Sequence, residues 1–321
     1  MGRKRLLLLD IMQGIAMILV VLGHHLFDFM PPIYNKIHFY IYSYHMPLFI
    51  FLSGFLISYS YNNKEDYGTY ILRRLKKFFI PFMLIGLFVS VLYAFILHED
   101  LILNLVNLLI FPKESPVTFL WYIYVLFFFY ALYPLVFLIL RNYIFFLLLF
   151  VSLVLYFYPI PFSLFCLDNF TKYLCFYLGG CVVAYHFLHI HIPFQIYGAY
   201  ILGGLFIIFS FLFFQNQIAW SYLVYLPFGA VPALYGFSVF VCRFNWATRI
   251  LVLISKNCFY IYLWHMFFIQ GIAIVYRFFF QKDLTVWEMV IYLLFSSLAS
   301  ILFPIYLNRM YTNIKTILKQ I

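Results

Sequence analysis

Charge is what this sequence has least of. Only 9% of its 321 residues are Asp, Glu, Lys or Arg, and just ten are acidic. A soluble domain cannot hide the apolar surface that such a composition implies, and a disordered chain or a coiled coil needs far more charge. Cysteine is sparse as well. The five (Cys166, Cys175, Cys181, Cys242, Cys258) include no C-x-x-C pair, so they read as small buried hydrophobes rather than disulfides or metal ligands. No two histidines stand four apart, so no helix face presents a ready pair of metal ligands. A three-histidine site is conceivable, but no metal is expected. His186, His189 and His191 have looser spacing and read as a polar loop. The apolar stretches do not alternate with polar residues as β-barrel strands do. The first lacks a small-residue cleavage site, and the sixth residue is Leu where a myristoylation signal needs Ser or Thr. There is no internal repeat and no inverted pair of Gly/Pro-broken helices, which counts against a secondary transporter.

What remains is 67% hydrophobic with a mean hydropathy of +1.01, including 44 Phe and 30 Tyr. A bilayer accepts that, because each helical span needs about 20 apolar residues. Ten spans are expected near 6–29, 39–60, 77–97, 118–140, 143–159, 171–188, 195–214, 220–242, 250–276 and 286–308. With the N-terminus cytoplasmic, the inner ends collect 15 Lys and Arg. Among them are Arg3, Lys4, Arg5, the Arg73–Lys77 cluster, Arg141, Arg243, Arg249, Lys256, Lys315 and Lys319. The outer ends hold five: Lys36, Lys113, Lys172, Arg277 and Lys282. This asymmetry obeys the positive-inside rule. It absorbs most of the net charge of +10, so nucleic acid is not an expected partner. The expected fold is an all-α integral membrane protein: one bundle of about ten helices over 1–321, both termini cytoplasmic, with no appended soluble domain.

An ionisable side chain inside a span costs roughly 2.5–3.5 kcal/mol on insertion scales, so each marks a possible site. Asp10 opens the first span and His24-His25 close it. His45 lies in the second, Trp121 in the fourth and His265 in the ninth. The alternating direction of the spans puts His24, His45, Trp121 and His265 at one depth, in the outer half. Taken singly, a border histidine or Trp121 reads as an interfacial residue; together they form a constellation. On a straight helix His24 lies about 40° round from Asp10 but roughly 21 Å along it, so the two mark opposite ends of a path rather than a dyad. His25 lies close to the same line, and geometry leaves the choice between the two histidines open. Arg73, Arg74, Lys76 and Lys77 read either as a positive-inside flank on lipid headgroups or as a dock for a phosphorylated donor.

These residues resemble a known family. Arg5…Leu9-Asp10-Ile11-Met12-Gln13-Gly14…Gly23-His24 is similar to the N-terminal signature of the acyltransferase 3 membrane family. His45-Met46-Pro47-Leu48-Phe49-Ile50-Phe51-Leu52-Ser53-Gly54, the basic cluster before Pro81, Phe119-Leu120-Trp121-Tyr122 and Ser255…Tyr262-Leu263-Trp264-His265 follow in the family's order. The resemblance implies about ten spans and O-acyl transfer, usually acetyl from acetyl-CoA, to hydroxyls of cell-surface or lipid-linked carbohydrate. It implies His24 as the essential histidine; a near-neutral imidazole there can take the hydroxyl proton as base, with His265 also catalytic, shaping the acceptor end or steadying the oxyanion. Arg73, Arg74 and Lys77, with Asp10 and Gln13, would bind the donor. His45, Trp121, Ser53 and Tyr262 would line the acceptor side. Gln13 departs from the pattern, because the family usually has Arg or Lys there. Acetyl-CoA is then a substrate rather than a tightly bound cofactor, membrane lipids are partners, and the bacterial inner membrane is the expected location. Direct transfer and an acyl-histidine route both remain open. A transporter of a lipid-linked sugar or a proton-coupled solute, using the histidines as a relay, is the competing reading.

Overall fold

In lipid a backbone must satisfy its own N–H and C=O groups, which makes helix the default for these apolar runs. The computed structural model describes residues 7–140, 142–186 and 192–318. Among the described residues the chain is all-helical, 85% helix with no strands. Arg3, Lys4, Arg5, Arg141, His189, His191 and Lys319, and the side chain of Lys315, lie outside them.

The helices are α1 Leu7–Gly23, α2 Pro32–Ser60, α3 Tyr67–Arg74, α4 Ile80–Ile96, α5 Leu101–Ile110, α6 Trp121–Ile139, α7 Tyr143–Phe157, α8 Leu167–His186, α9 Ile192–Phe214, α10 Leu226–Val241, α11 Asn245–Lys256, α12 Cys258–Phe280 and α13 Val286–Leu318. Among the described residues, six continuous helical stretches are long and apolar enough to cross a membrane: Pro32–Ser60, Tyr67–Ile96, Thr118–Ile139, Trp220–Val241, Cys258–Phe280 and Val286–Asn313. α1, α5, α7 and the Tyr200–Phe214 part of α9 are apolar but shorter.

Several boundaries differ from the sequence reading. The expected ninth span, 250–276, is broken at Asn257 into α11 and α12. The Asn257 amide donates back to Leu253 O at 2.8 Å, and its Oδ1 accepts from Asn308 Nδ2 at 2.8 Å. A side chain that competes for backbone groups in this way ends a helix. The second span starts at Pro32 rather than near 39. α5 occupies a connection that carried no expected helix. α1 stops at Gly23 rather than near 29, because the next two side chains take over its last carbonyls. His24 Nδ1 donates to Val20 O at 2.7 Å, and His25 Nδ1 to Val21 O at 2.9 Å.

The chain forms two compact units: 1–49 with 191–321, and 50–190. In the first, α1 packs on α10, α11, α12 and α13. Ile11, Val241 and Leu251 form one core, and Phe29, Met30, Tyr34, Ala273, Leu284, Met289 and Tyr292 another. Gly14 allows the closest approach, since a Cβ there would sit 2.4 Å from Leu251 O. The second unit is built on a reciprocal crossing. A Cβ on Gly54 would lie 2.1 Å from Tyr177 O, and one on Gly180 would lie 2.1 Å from Phe51 O. Two backbones this close need small residues on both sides. Beside them Tyr177 stacks on Phe129 with centroids 4.5 Å apart.

Candidate active site

The end of α1, the middle of α2 and the first turns of α12 bring three histidines together in the first unit. The His24 ring centroid lies 4.9 Å from that of His265 and 5.9 Å from that of His45, edge-on to both. His45 and His265 are fully buried, as is His25, whereas His24 is half-buried. Tyr262 lies 5.5 Å from His265, ring to ring. The structure thus brings these three histidines side by side within this unit.

Each imidazole is fixed in the same tautomer by the same device. Carbonyl oxygens only accept, so a ring nitrogen bonded to one must carry the proton. His45 Nδ1 donates to Ile41 O at 3.0 Å and His265 Nδ1 to Tyr262 O at 2.7 Å, as His24 and His25 do to α1. In the neutral rings every Nε2 then holds the lone pair. The structure separates His24 from His25 on this point. His25 Nε2 lies 2.9 Å from Ser296 Oγ, a distance at which the hydroxyl donates and occupies the lone pair. His24 makes its ring bond through Nδ1 alone among the described contacts, and it is the ring of the four that is not fully buried.

Two residues escaped the sequence reading. Tyr42 lies 5.7 Å from the His24 ring and 4.7 Å from His45, and His38 lies 4.8 Å from Tyr42. With His45 they occupy positions i, i+4 and i+7 of α2, one helical face. That spacing was visible, but Tyr42 is one of 30 tyrosines and nothing else marked it.

At the other end of α1, Ser255 Oγ lies 3.3 Å from Asp10 Oδ1 and 2.9 Å from Gln13 Oε1. A hydroxyl has one proton. With the Gln13 amide rotated by half a turn, Gln13 donates to Ser255 and Ser255 donates to Asp10, which satisfies all three groups. Ser255 therefore joins Asp10 to the glutamine that stands where a cation is usual.

The remaining expected residues belong to the second unit. A π-helical turn, Leu75–Phe79, joins α3 to α4 and carries Lys76 and Lys77, directly after Arg73 and Arg74. Such turns insert one residue and are frequent at functional sites. Arg73 pairs with Glu65 at 2.5 Å. The Arg74 guanidinium lies against two rings, 4.7 Å from Tyr130 and 5.1 Å from Tyr70, and its buried Nε has no hydrogen-bond partner among the described residues. Lys77 is exposed, with its ammonium 4.9 Å from the Phe78 ring. Ser53 Oγ and Tyr122 Oη are 2.8 Å apart, and Trp121 stacks on Tyr173 at 5.6 Å. Among the described residues no group of three or more His, Cys, Asp or Glu could hold a metal ion.

No curated protein and no solved structure matches this sequence. A family model described as an acyltransferase domain matches residues 6–309, nearly the whole chain. By that match the chain belongs to the acyltransferase 3 family of membrane acyltransferases.

Proposed function

We propose that the protein transfers an acyl group, most simply acetyl, from a cytoplasmic acyl-CoA to a hydroxyl of a cell-surface or lipid-linked carbohydrate. The observation that carries this reading is His24: a tethered imidazole whose Nε2 lone pair is unclaimed, beside His265 and His45. In the reaction, Nε2 takes the acceptor hydroxyl proton as the oxygen attacks the thioester carbonyl. The tetrahedral intermediate then loses the C–S bond, and the same proton passes to the departing thiolate as CoA–SH. No proton is gained or lost overall. In the first unit His265 and His45, with Tyr262, line the acceptor side; in the second, Ser53 and Trp121 are assigned to acceptor binding. Arg73, Arg74 and Lys77 of the second unit hold the donor phosphates; in the first unit Asp10, Gln13 and Ser255 are assigned to donor binding. Arg74 supports this best, because a guanidinium packed against two rings presents a steadied fork to phosphate oxygens. The reading includes ten spans, with α1, α7, α8 and α9 joining the six long ones, both termini cytoplasmic, and a bacterial inner membrane.

The test is release of free CoA thiol from acetyl-CoA by purified, detergent-solubilised protein. Turnover that rises with added polyol acceptor and disappears in His24→Ala supports the reading. No thiol release, with solute or lipid-linked sugar moved instead by reconstituted protein, replaces it with the transporter.

A further inference from the structure

Acyl transfer leaves one side of α11 without a role. Its residues fall into three sectors around the helix axis. Ala247, Leu251, Ile254 and Ser255 face inward: Leu251 and Ala247 join the Ile11 core, and Ser255 bonds Asp10 and Gln13. Trp246, Ile250 and Leu253 form an apolar stripe at i, i+4 and i+7 that is 69%, 50% and 46% exposed. Arg249 and Lys256 are exposed in a third sector adjoining that stripe, with Arg243 in the turn before the helix. None of these three cations makes an ion pair among the described residues. At 12 residues α11 is about 18 Å long, too short to span a bilayer.

An apolar stripe flanked on one side by unpaired cations is the pattern of a helix lying in a membrane surface. We propose that α11 is an anionic-phospholipid site. Trp246, Ile250 and Leu253 sink to the acyl-chain boundary, while Arg249 and Lys256 bind the phosphate headgroups. Charge complementarity selects this occupant: an anionic headgroup matches both cations while its acyl chains take the apolar stripe, whereas an uncharged lipid or an apolar protein face would leave both cations unmatched. The inner sector ties the site to the rest of the unit: the helix seated on the headgroups is the one whose last turn carries Ser255.

The test uses full-length protein in nanodiscs of phosphatidylcholine doped with brominated phosphatidylglycerol or, separately, brominated phosphatidylcholine. The difference between wild type and Trp246→Phe isolates the Trp246 emission. Brominated phosphatidylglycerol should quench it at a lower mole fraction than brominated phosphatidylcholine. Arg249→Gln and Lys256→Gln should each reduce that preference about fivefold, the equivalent of about 1 kcal/mol per basic residue at an anionic surface. High salt on the wild-type protein should erase the preference while leaving quenching by the zwitterionic lipid, a check that needs no variant to fold. Equal quenching by both lipids would overturn the headgroup assignment. Quenching by neither would show the stripe covered by protein or facing water. Both readouts are independent of turnover, so they stand apart from the fate of the acyltransferase reading.

Discussion

His24 and His25 are neighbours of identical chemistry, yet replacing each with Ala should produce opposite phenotypes. His25 is fully buried and bonded at both ring nitrogens, to Val21 O and to Ser296 Oγ. His25→Ala loses both bonds and opens a cavity of imidazole size, a cost of about 2–5 kcal/mol in stability. His24 is half-buried and makes one ring bond, to Val20 O, so His24→Ala should cost about 0.5–1.5 kcal/mol. Turnover should reverse the order. Removing a positioned general base lowers the rate roughly 10²–10⁴-fold, equivalent to about 2.7–5.5 kcal/mol of transition-state stabilisation. His25→Ala, once folded, should keep most of its activity. The assay pairs CoA-thiol release with thermal unfolding of the same detergent-solubilised samples. If His25→Ala lost turnover while unfolding like wild type, the argument from the occupied lone pair would be refuted and the base would move one residue along.

Other expectations follow from the same geometry. Arg74→Ala should raise the donor KM by about ten- to a hundredfold, from one charge-assisted contact worth about 1.5–3 kcal/mol, with the acceptor KM unchanged. Arg74→Lys should not rescue it, because the ammonium cannot fill the Tyr70–Tyr130 slot as a planar fork does. Gly54→Ala and Gly180→Ala should each destabilise by about 1–3 kcal/mol or more, read as loss of folded protein by size exclusion, since their Cβ atoms would meet carbonyl oxygens. Gly204→Ala, with nothing within 4 Å, should be neutral or stabilising. In the loop after α1, the Arg277 side chain donates to Asp28 and holds its carboxyl below the usual range. Stability from this pair is present above the unfolded carboxylate value of about 3.9 and is lost as pH falls through the lower folded value. Acid unfolding curves of wild type and Arg277→Gln should therefore differ above about pH 4 and converge below it.

Much of this was readable in the residues because the constraints involved are local or one-dimensional. Hydropathy marks an apolar helix, and an imidazole inside such a run stands out, so His24, His45 and His265 could be singled out together before the fold showed their rings side by side. The break at Asn257 was hidden because apolar runs flank it on both sides, and its cause includes a hydrogen bond to Asn308, which no window along the chain contains. The π turn after Arg74 leaves no composition signal. Gln13 looked like a lost charge, and only the fold supplies Ser255, more than two hundred residues away, as its link to Asp10. The tyrosines beside Arg74 were invisible for a plainer reason: in a chain with 30 of them, no single ring stands out.

The shared tether of the histidines carries a consequence for selectivity. With its Nδ1 proton committed to backbone, neutral His24, the half-buried ring of the cluster, offers a guest a lone pair and no hydrogen to give. Such a surface welcomes molecules that bring their own hydrogens, as a polyol does with each hydroxyl. It turns away carboxylates and phosphates, whose oxygens would face nitrogen lone pairs across a medium too poorly screened to forgive them. Discrimination against anionic groups at this point thus needs no repelling charge; it follows from which nitrogen of each ring the main chain has taken.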